Sequence, residues 1–253
     1  MKKMYSKAIV RRPGRNFAKG ITTSNLGKPD FEKALEQHAA YCNALVKCGV
    51  ELTILEADER YPDGCFVEDT AVVNSKVAII TNPGAVARTG EEVEISRVLS
   101  GHWKLETIQF LGTLEGGDIL RAESHYYIGL SGRTNREGAR QLAAILSKFG
   151  FTSSEITVEA GLHLKSDIAY LGKGNFMSTP AFSKMVFPAN TVILDPDESY
   201  SANCLPVNDF LLIARGFPKS KAKIAALGYN IIELEMSEFR KMDGGLTCLS
   251  LLF

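Results

Sequence analysis

The sequence predicts an α/β fold: a closed ring of five β-hairpin-plus-helix units around one axis. Three observations predict it. Strand–turn–strand stretches recur between helical segments, at residues 68–80, 117–130, 166–178 and 202–213, and a single strand-like run lies at 245–251. Asp69, Asp118 and Asp167 open three of these stretches 49 residues apart, twice, which marks an internal repeat. Finally, Ser6-Lys-Ala-Ile-Val-Arg-Arg-Pro-Gly matches Ser75-Lys-Val-Ala-Ile-Ile-Thr-Asn-Pro-Gly, the outer strand of the first unit, with one residue inserted. The N-terminal strand therefore supplies the partner that the fifth unit lacks, and the closed ring has few exposed sheet edges.

The elements follow in chain order. Residues 5–11 read as the first strand. Residues 12–29 form a polar connection with Pro13, Gly14, Gly20 and Gly27, and with only Phe17, Ile21 and Leu26 as large apolar residues. Such long loops are uncommon in compact domains and often serve as lids or binding loops, a disordered excursion being the alternative. We expect an active-site lid. Asp30 suits a helix N-cap. Ala34, Leu35, His38, Ala39, Cys42, Leu45 and Val46 then recur at helical spacing, predicting an amphipathic helix to Lys47 that Gly49 stops. Residues 50–55 read as a strand. Further helices are expected at 91–100, 135–149 and 218–227, each stopped by a glycine and followed by a short strand, at 105–110, 154–158 and 230–234. The first strand of each hairpin faces the axis, so the residues that open these strands converge there.

A chain of 253 residues suits a single domain, 1–253, with a sizeable core. Basic and acidic residues both number 29, and this zero net charge argues against nucleic acid as a partner. No apolar run approaches the roughly 18 residues of a membrane span. The start, Met1-Lys-Lys-Met-Tyr-Ser, lacks the apolar core of a signal peptide. The cysteines at 42, 48, 65, 204 and 248 contain no Cys-x-x-Cys pair, so neither a disulfide framework nor a structural zinc site is expected, and a reduced, cytoplasmic setting is the default.

Convergence gathers Glu68, Asp69, Glu115, Asp118, His163, Asp167, Asn203 and Cys248 at the axis. Singly, each has a structural reading: Glu115 as a turn residue, Asp118 and Asp167 as caps of strand turns, His163 as a core histidine, Cys248 as a small buried hydrophobe. Together, a thiol, an imidazole and several carboxylates make a nucleophile, an acid/base and a cation binder. Carboxylates around a thiol raise its pKa, and a cation drawn in by them stabilises the thiolate. A planar guanidinium, always charged and able to pair with carboxylates in bidentate fashion, fits such a pocket. Gly244-Gly245 would let the backbone pass close to it.

Six motifs in order, Phe66-Val-Glu-Asp, Leu114-Glu-Gly-Gly-Asp, Gly129-Leu-Ser-Gly-Arg-Thr-Asn, Leu162-His-Leu-Lys-Ser, Tyr200-Ser-Ala-Asn-Cys and Asp243-Gly-Gly-Leu-Thr-Cys, together resemble the dimethylarginine dimethylaminohydrolases, most of all the short bacterial members. The likeness runs essentially end to end. It implies the five-bladed α/β propeller of the guanidine-modifying enzymes and hydrolysis of Nω-methylated arginine to citrulline and dimethylamine or methylamine, with no cofactor and no metal. By the same resemblance, Cys248 matches the nucleophile, His163 the acid/base, and Glu115 the carboxylate that orients the histidine. Asp69 matches the guanidinium clamp, Asp63 and Glu68 polar groups around the substrate, and Arg88 and Arg133 the arginines that hold its α-carboxylate. Ile21 falls in the lid. A small-molecule substrate is the expected partner, without nucleic acid or membrane, and a homodimer is a further expectation.

Two positions depart from the bacterial pattern: Asp167 stands where that pattern has glycine, and Cys65 is unusual. Glu-Gly-Gly-Asp is also shared with arginine deiminases, so pocket differences bear on which guanidine is preferred. The alternatives are a deiminase or hydrolase for another guanidine or ureido compound, a non-catalytic propeller that binds a partner, and a Cys/His zinc site, for which only one residue of each kind is at hand.

Overall fold

The described strands pair into five three-stranded sheets, each with the same build. A hairpin brings two strands together antiparallel, and a third strand joins the second one in parallel. The structure is a computed structural model that describes residues 4–159, 161–183 and 190–253. The first four sheets open on Ala71–Val73, Ile119–Ala122, Ile168–Gly172 and Leu205–Val207. In the fifth, Leu251–Leu252 pairs antiparallel with Lys7–Arg11, which pairs parallel with Glu51–Leu55. The N-terminal strand thus occupies the middle of the fifth sheet as Ala78–Ile80 occupies the middle of the first, and the expected closure is borne out.

A parallel third strand needs a crossover. Four blades make it with an α-helix: Phe31–Lys47, Glu92–Ser100, Arg136–Lys148 and Pro218–Ala225. Asp30 caps the first of these, accepting from the Lys33 N–H at 2.9 Å, and Asn135 caps the third, accepting from Gly138 at 2.8 Å. The third blade departs from the expected unit: its described crossover residues hold only the 3-10 turn Pro180–Phe182. Five apolar clusters fill the gaps between neighbouring sheets, one for each interface. Val72 and Ile128, for example, meet between the first and second blades, and Ile9 and Ala78 between the fifth and the first.

Each first strand is preceded by a 3-10 turn, which the sequence did not disclose: Val67–Thr70, Gly116–Asp118, Leu164–Ser166, Pro196–Ala202 and Thr247–Leu249. Cys248 accordingly sits on a turn and not, as expected, on a strand. Polar side chains link these turns around the axis. Asp69 accepts from the Gly117 N–H at 2.7 Å and Asp118 from the Leu164 N–H at 3.0 Å. Asn203 donates to the Lys165 carbonyl and accepts from the Thr247 N–H, and the Thr247 hydroxyl returns to Glu68 at 2.9 Å. Two of the repeated acids, Asp69 and Asp118, with Asn203 and Thr247, therefore tie blade to blade.

The four-residue helix Ser237–Arg240, also unpredicted, places Glu238 where it accepts from the Asp30 N–H at 2.8 Å and from the Lys241 ammonium at 2.6 Å. Burial works to raise the Glu238 pKa, but these donors together lower it from 4.5 to about 2. A depressed carboxylate stabilises the fold above its unfolded pKa and loses that contribution as pH falls through its folded value. Glu238→Gln is expected to cost about 3 kcal/mol at neutral pH. The gap from wild type should close between roughly pH 4.5 and pH 2 in denaturant titrations, and a gap independent of pH would contradict this.

Candidate active site

The ring of turns surrounds a small cavity of about 30 Å³, lined by Cys248, His163, Asp69, Glu68, Arg88 and Arg133 among others. Asp63 and Ile21 also reach it. Glu115, fully buried, stands directly behind His163. Residues from sequence positions as far apart as 21 and 248 therefore meet in one place.

His163 is held by its ring. Its Nε2 lies 2.8 Å from Glu115 Oε2 and 4.0 Å from Asp69 Oδ1. With Nε2 committed to Glu115, Nδ1 is the nitrogen left to exchange protons. The Glu-Gly-Gly-Asp motif is explained here. A Cβ on Gly117 would stand 2.5 Å from His163 Nδ1, so only glycine keeps that face clear. Burial works to lower the His163 pKa, but Asp69, the Glu115 hydrogen bond and Asp118 outweigh it, and the net shift is upward. Glu115 responds in the opposite sense: burial raises it, the bond to His163 lowers it, and it ends below the usual value.

Cys248 is partly buried in the middle of its turn, and its Sγ accepts the Gly245 N–H at 3.4 Å. Burial first, then the charges of Glu68 and Asp69, push the thiol up to about 12. The expectation that clustered acids disfavour a free thiolate is met. Gly244-Gly245 has a different structural cause from the one expected. A Cβ on Gly245 would lie 2.4 Å from the Asn203 side chain, and one on Gly244 would lie 2.4 Å from the Phe66 ring. The pair lets the chain press against neighbouring blades.

Every carboxylate at the centre already faces a cation of the protein. Arg88 Nη1 lies 2.5 Å from Asp69 Oδ2, and its Nη2 lies 2.7 Å from Glu91 Oε2. Arg133 Nη1 is 3.3 Å from Glu115 Oε1. Lys165 pairs with Glu68, whose other oxygen accepts from Thr247. Asp63 differs: it accepts the Ile21 N–H at 3.0 Å and so fastens the 12–29 segment over the cavity. On the same segment, Asp243 accepts from the Thr23 N–H at 2.5 Å and from the Thr22 and Thr23 hydroxyls.

Sequence reasoning missed Lys165 and Glu91. Lys165 lies two residues beyond His163, inside a motif already singled out, and a cluster of buried acids in a chain of zero net charge called for such a partner. Glu91 had no signal, because it acts only through Arg88. The structure keeps Asp118 and Asp167 out of the cavity. Asp118 holds Leu164 and Ser131, and Asp167 holds the Thr179 hydroxyl at 2.8 Å, which leaves neither in reach of a ligand. Cys42, Cys48, Cys65 and Cys204 are buried elsewhere.

Donor atoms of Asp69, Glu115 and His163 lie within 4.8 Å of one another, a set that could in principle hold a metal ion. Glu115 and His163 spend that proximity on each other, however, and Arg88 and Arg133 place two fixed cations on the acids. The set suits holding a proton better than holding a second cation.

Residues 17–181 match the family profile described as N,N dimethylarginine dimethylhydrolase, eukaryotic. The chain is 46% identical to the N(G),N(G)-dimethylarginine dimethylaminohydrolase of Pseudomonas aeruginosa, over 99% of this chain and all of that one. A relative of the same name in Streptomyces coelicolor is 35% identical over 96% of this chain and 95% of its own. Among solved structures, a cysteine-to-serine variant of the Pseudomonas aeruginosa enzyme complexed with citrulline superposes with a TM-score of 0.96 at 45% identity, covering 99% of this chain and 100% of that one. A histidine-to-glycine variant of a dimethylarginine dimethylaminohydrolase, in adduct with S-methyl-L-thiocitrulline, superposes equally well, with a TM-score of 0.96 at 46% identity over the same shares of both chains.

Proposed function

The chain belongs to the dimethylarginine dimethylaminohydrolase family, and from that premise we propose that it hydrolyses Nω-methylated arginine to citrulline and dimethylamine or methylamine through a covalent intermediate on Cys248. One observation carries the reading: a buried cavity that joins a thiol, a histidine–glutamate pair and carboxylates whose present partners are the protein's own cations, places a guanidinium can take.

The neutral thiol of Cys248 releases its proton to solvent water as the substrate cation arrives beside it. The sulfur attacks the guanidinium carbon, forming a C–S bond. His163, whose imidazolium is favoured by the acids around it, delivers a proton to the departing amine as the C–N bond breaks. The neutral imidazole then takes a proton from water, which attacks the thiouronium carbon. As the C–S bond breaks, the remaining proton of the attacking water passes to the departing sulfur, citrulline leaves and the thiol is restored. Glu115 orients the imidazole and stabilises its charge. Asp69 and Glu68 receive the guanidinium, and Arg88 and Arg133 the α-carboxylate.

The protein's own cations shape how substrate enters. Arg88 stands on Asp69 and Arg133 on Glu115, so binding is an exchange of ion pairs: the α-carboxylate draws the arginines while the guanidinium takes their places. A ligand with both charges completes this exchange. One with a guanidinium alone leaves the arginines bound to the acids. Citrulline formation from asymmetric dimethylarginine tests the reading, compared by kcat/KM with monomethylarginine, arginine and the decarboxylated agmatine. No product from either methylated arginine overturns it.

Residues 12–29 act as the lid, with Asp63 and Asp243 as its latches. Asp243→Ala removes the acceptor for three donors of Thr22 and Thr23. It is expected to lower kcat/KM by about tenfold to a hundredfold, mainly through KM, since each bond to a charged group is worth about 1.5–3 kcal/mol. The same variant should speed alkylation of Cys248 by iodoacetamide, because the cavity opens. Slower alkylation would show that Asp243 holds the nucleophile turn and not the lid.

A further inference from the structure

We infer that the axis of the ring holds a second small-molecule site, behind the floor of the active site, for a flat, neutral, mainly apolar molecule that carries one hydrogen-bond donor. A cavity of about 230 Å³ lies there. All five blades line it through their first strands, with Val72, Leu120, Ala169, Leu205 and Leu251 each contributing from a different blade. Its floor is made by Glu68, Lys165 and Thr247, which also line the catalytic cavity, so the two spaces stand back to back with one wall between them.

The occupant's chemistry follows from what the walls offer. Glu68, Tyr126 and Tyr170 there are already satisfied by protein, and the exposed Arg121 turns its Nε to the Glu123 carbonyl with its guanidinium over the Tyr126 ring. Glu68 is engaged by Lys165 and Thr247. The Tyr126 hydroxyl accepts from Asn74 at 2.9 Å, and the Tyr170 hydroxyl serves Glu123 and the Gly174 N–H. Ordered water wants two to four polar partners, and such walls leave few. A largely apolar molecule displaces loosely held water at little cost and buries its faces against the five strands. A dry cavity of about 150 Å³ is known to take benzene, so this one has room for a bicyclic ring of about nine heavy atoms. The Ser250 hydroxyl, 2.7 Å from Tyr41, and the Glu68 carboxylate retain acceptor lone pairs, which suits one donor. Neither adds a charge that a cationic or anionic ligand would need, because Glu68 is neutralised by Lys165.

Indole, flat and with a single N–H donor, is the probe. Calorimetry on the intact protein should show one-to-one binding with a Kd on the order of 0.1–1 mM, as a ligand of this size in a preformed pocket allows. Blocking Cys248 with iodoacetamide should leave that affinity unchanged. Intermolecular NOEs should run from indole to the methyl groups of Leu120, Leu205 and Leu251. Leu120→Phe and Leu205→Trp, which fill the cavity from different walls, should weaken binding about tenfold in protein that still unfolds cooperatively. Absence of saturable binding up to about 10 mM would mean that water holds the axis. Loss of binding on blocking Cys248 would place indole in the catalytic cavity, and NOEs to other residues would place it on the surface. Each of these overturns the inference, and the NOE readout stands whether or not the filled variants fold.

Discussion

Cys248→Ser is expected to reduce citrulline formation from dimethylarginine by on the order of 10⁴-fold or more, with thermal unfolding unchanged. The partly buried sulfur lies in the cavity and accepts a backbone N–H, contacts that a hydroxyl can keep, so the loss falls on chemistry and not on folding. A companion prediction concerns pH. Burial, Glu68 and Asp69 push the thiol up to about 12, so the ligand-free protein holds it neutral throughout the physiological range. Alkylation by neutral iodoacetamide should therefore rise about tenfold per pH unit from pH 7 to pH 10 without levelling. A cationic haloacetamidine brings the charge that the acids favour, and should label Cys248 far faster near neutrality, with citrulline competing. A plateau for iodoacetamide below about pH 9 would show a thiolate stabilised without any ligand, and would remove the substrate-assisted step from the proposal.

Much of this architecture was legible because it repeats. Asp69, Asp118 and Asp167 mark equivalent places in three blades, and the match of residues 6–14 to 75–84 was enough to close the ring. Periodicity located the helix Phe31–Lys47 and even its Asp30 cap. What stayed hidden had no period to show. The 3-10 turns that carry His163's neighbours and Cys248 are three or four residues long in most blades, too short for any amphipathic pattern. The Lys165–Glu68 pair spans 97 residues, and only the fold reveals that the lysine answers that acid. Asp167 misled for the reverse reason. It keeps the repeat spacing but turns to Thr179 within its own blade, so equivalence in sequence did not mean equivalence in contact.

His163→Gly should separate the two halves of the reaction. With dimethylarginine, whose amine must be protonated to leave, turnover should fall by on the order of 10²–10⁴-fold, the range that general acid–base catalysis contributes. With S-methyl-L-thiocitrulline the leaving thiol needs no such proton, so the first half survives. Water then lacks its base, and the thiouronium should accumulate on Cys248, visible as an added mass on the intact protein. The pH dependence has a definite sign. Burial works against the imidazolium, but Asp69, the Glu115 bond and Asp118 hold it charged above its usual pKa. The acid form is therefore present at low pH, and kcat/KM should fall as pH rises through that elevated value. Glu115→Gln removes the carboxylate 2.8 Å from Nε2, so this limb should move to lower pH. A limb that stays in place would mean that Asp69, not Glu115, holds the proton on His163. Absence of the adduct would assign His163 to forming the C–S bond as well as breaking it.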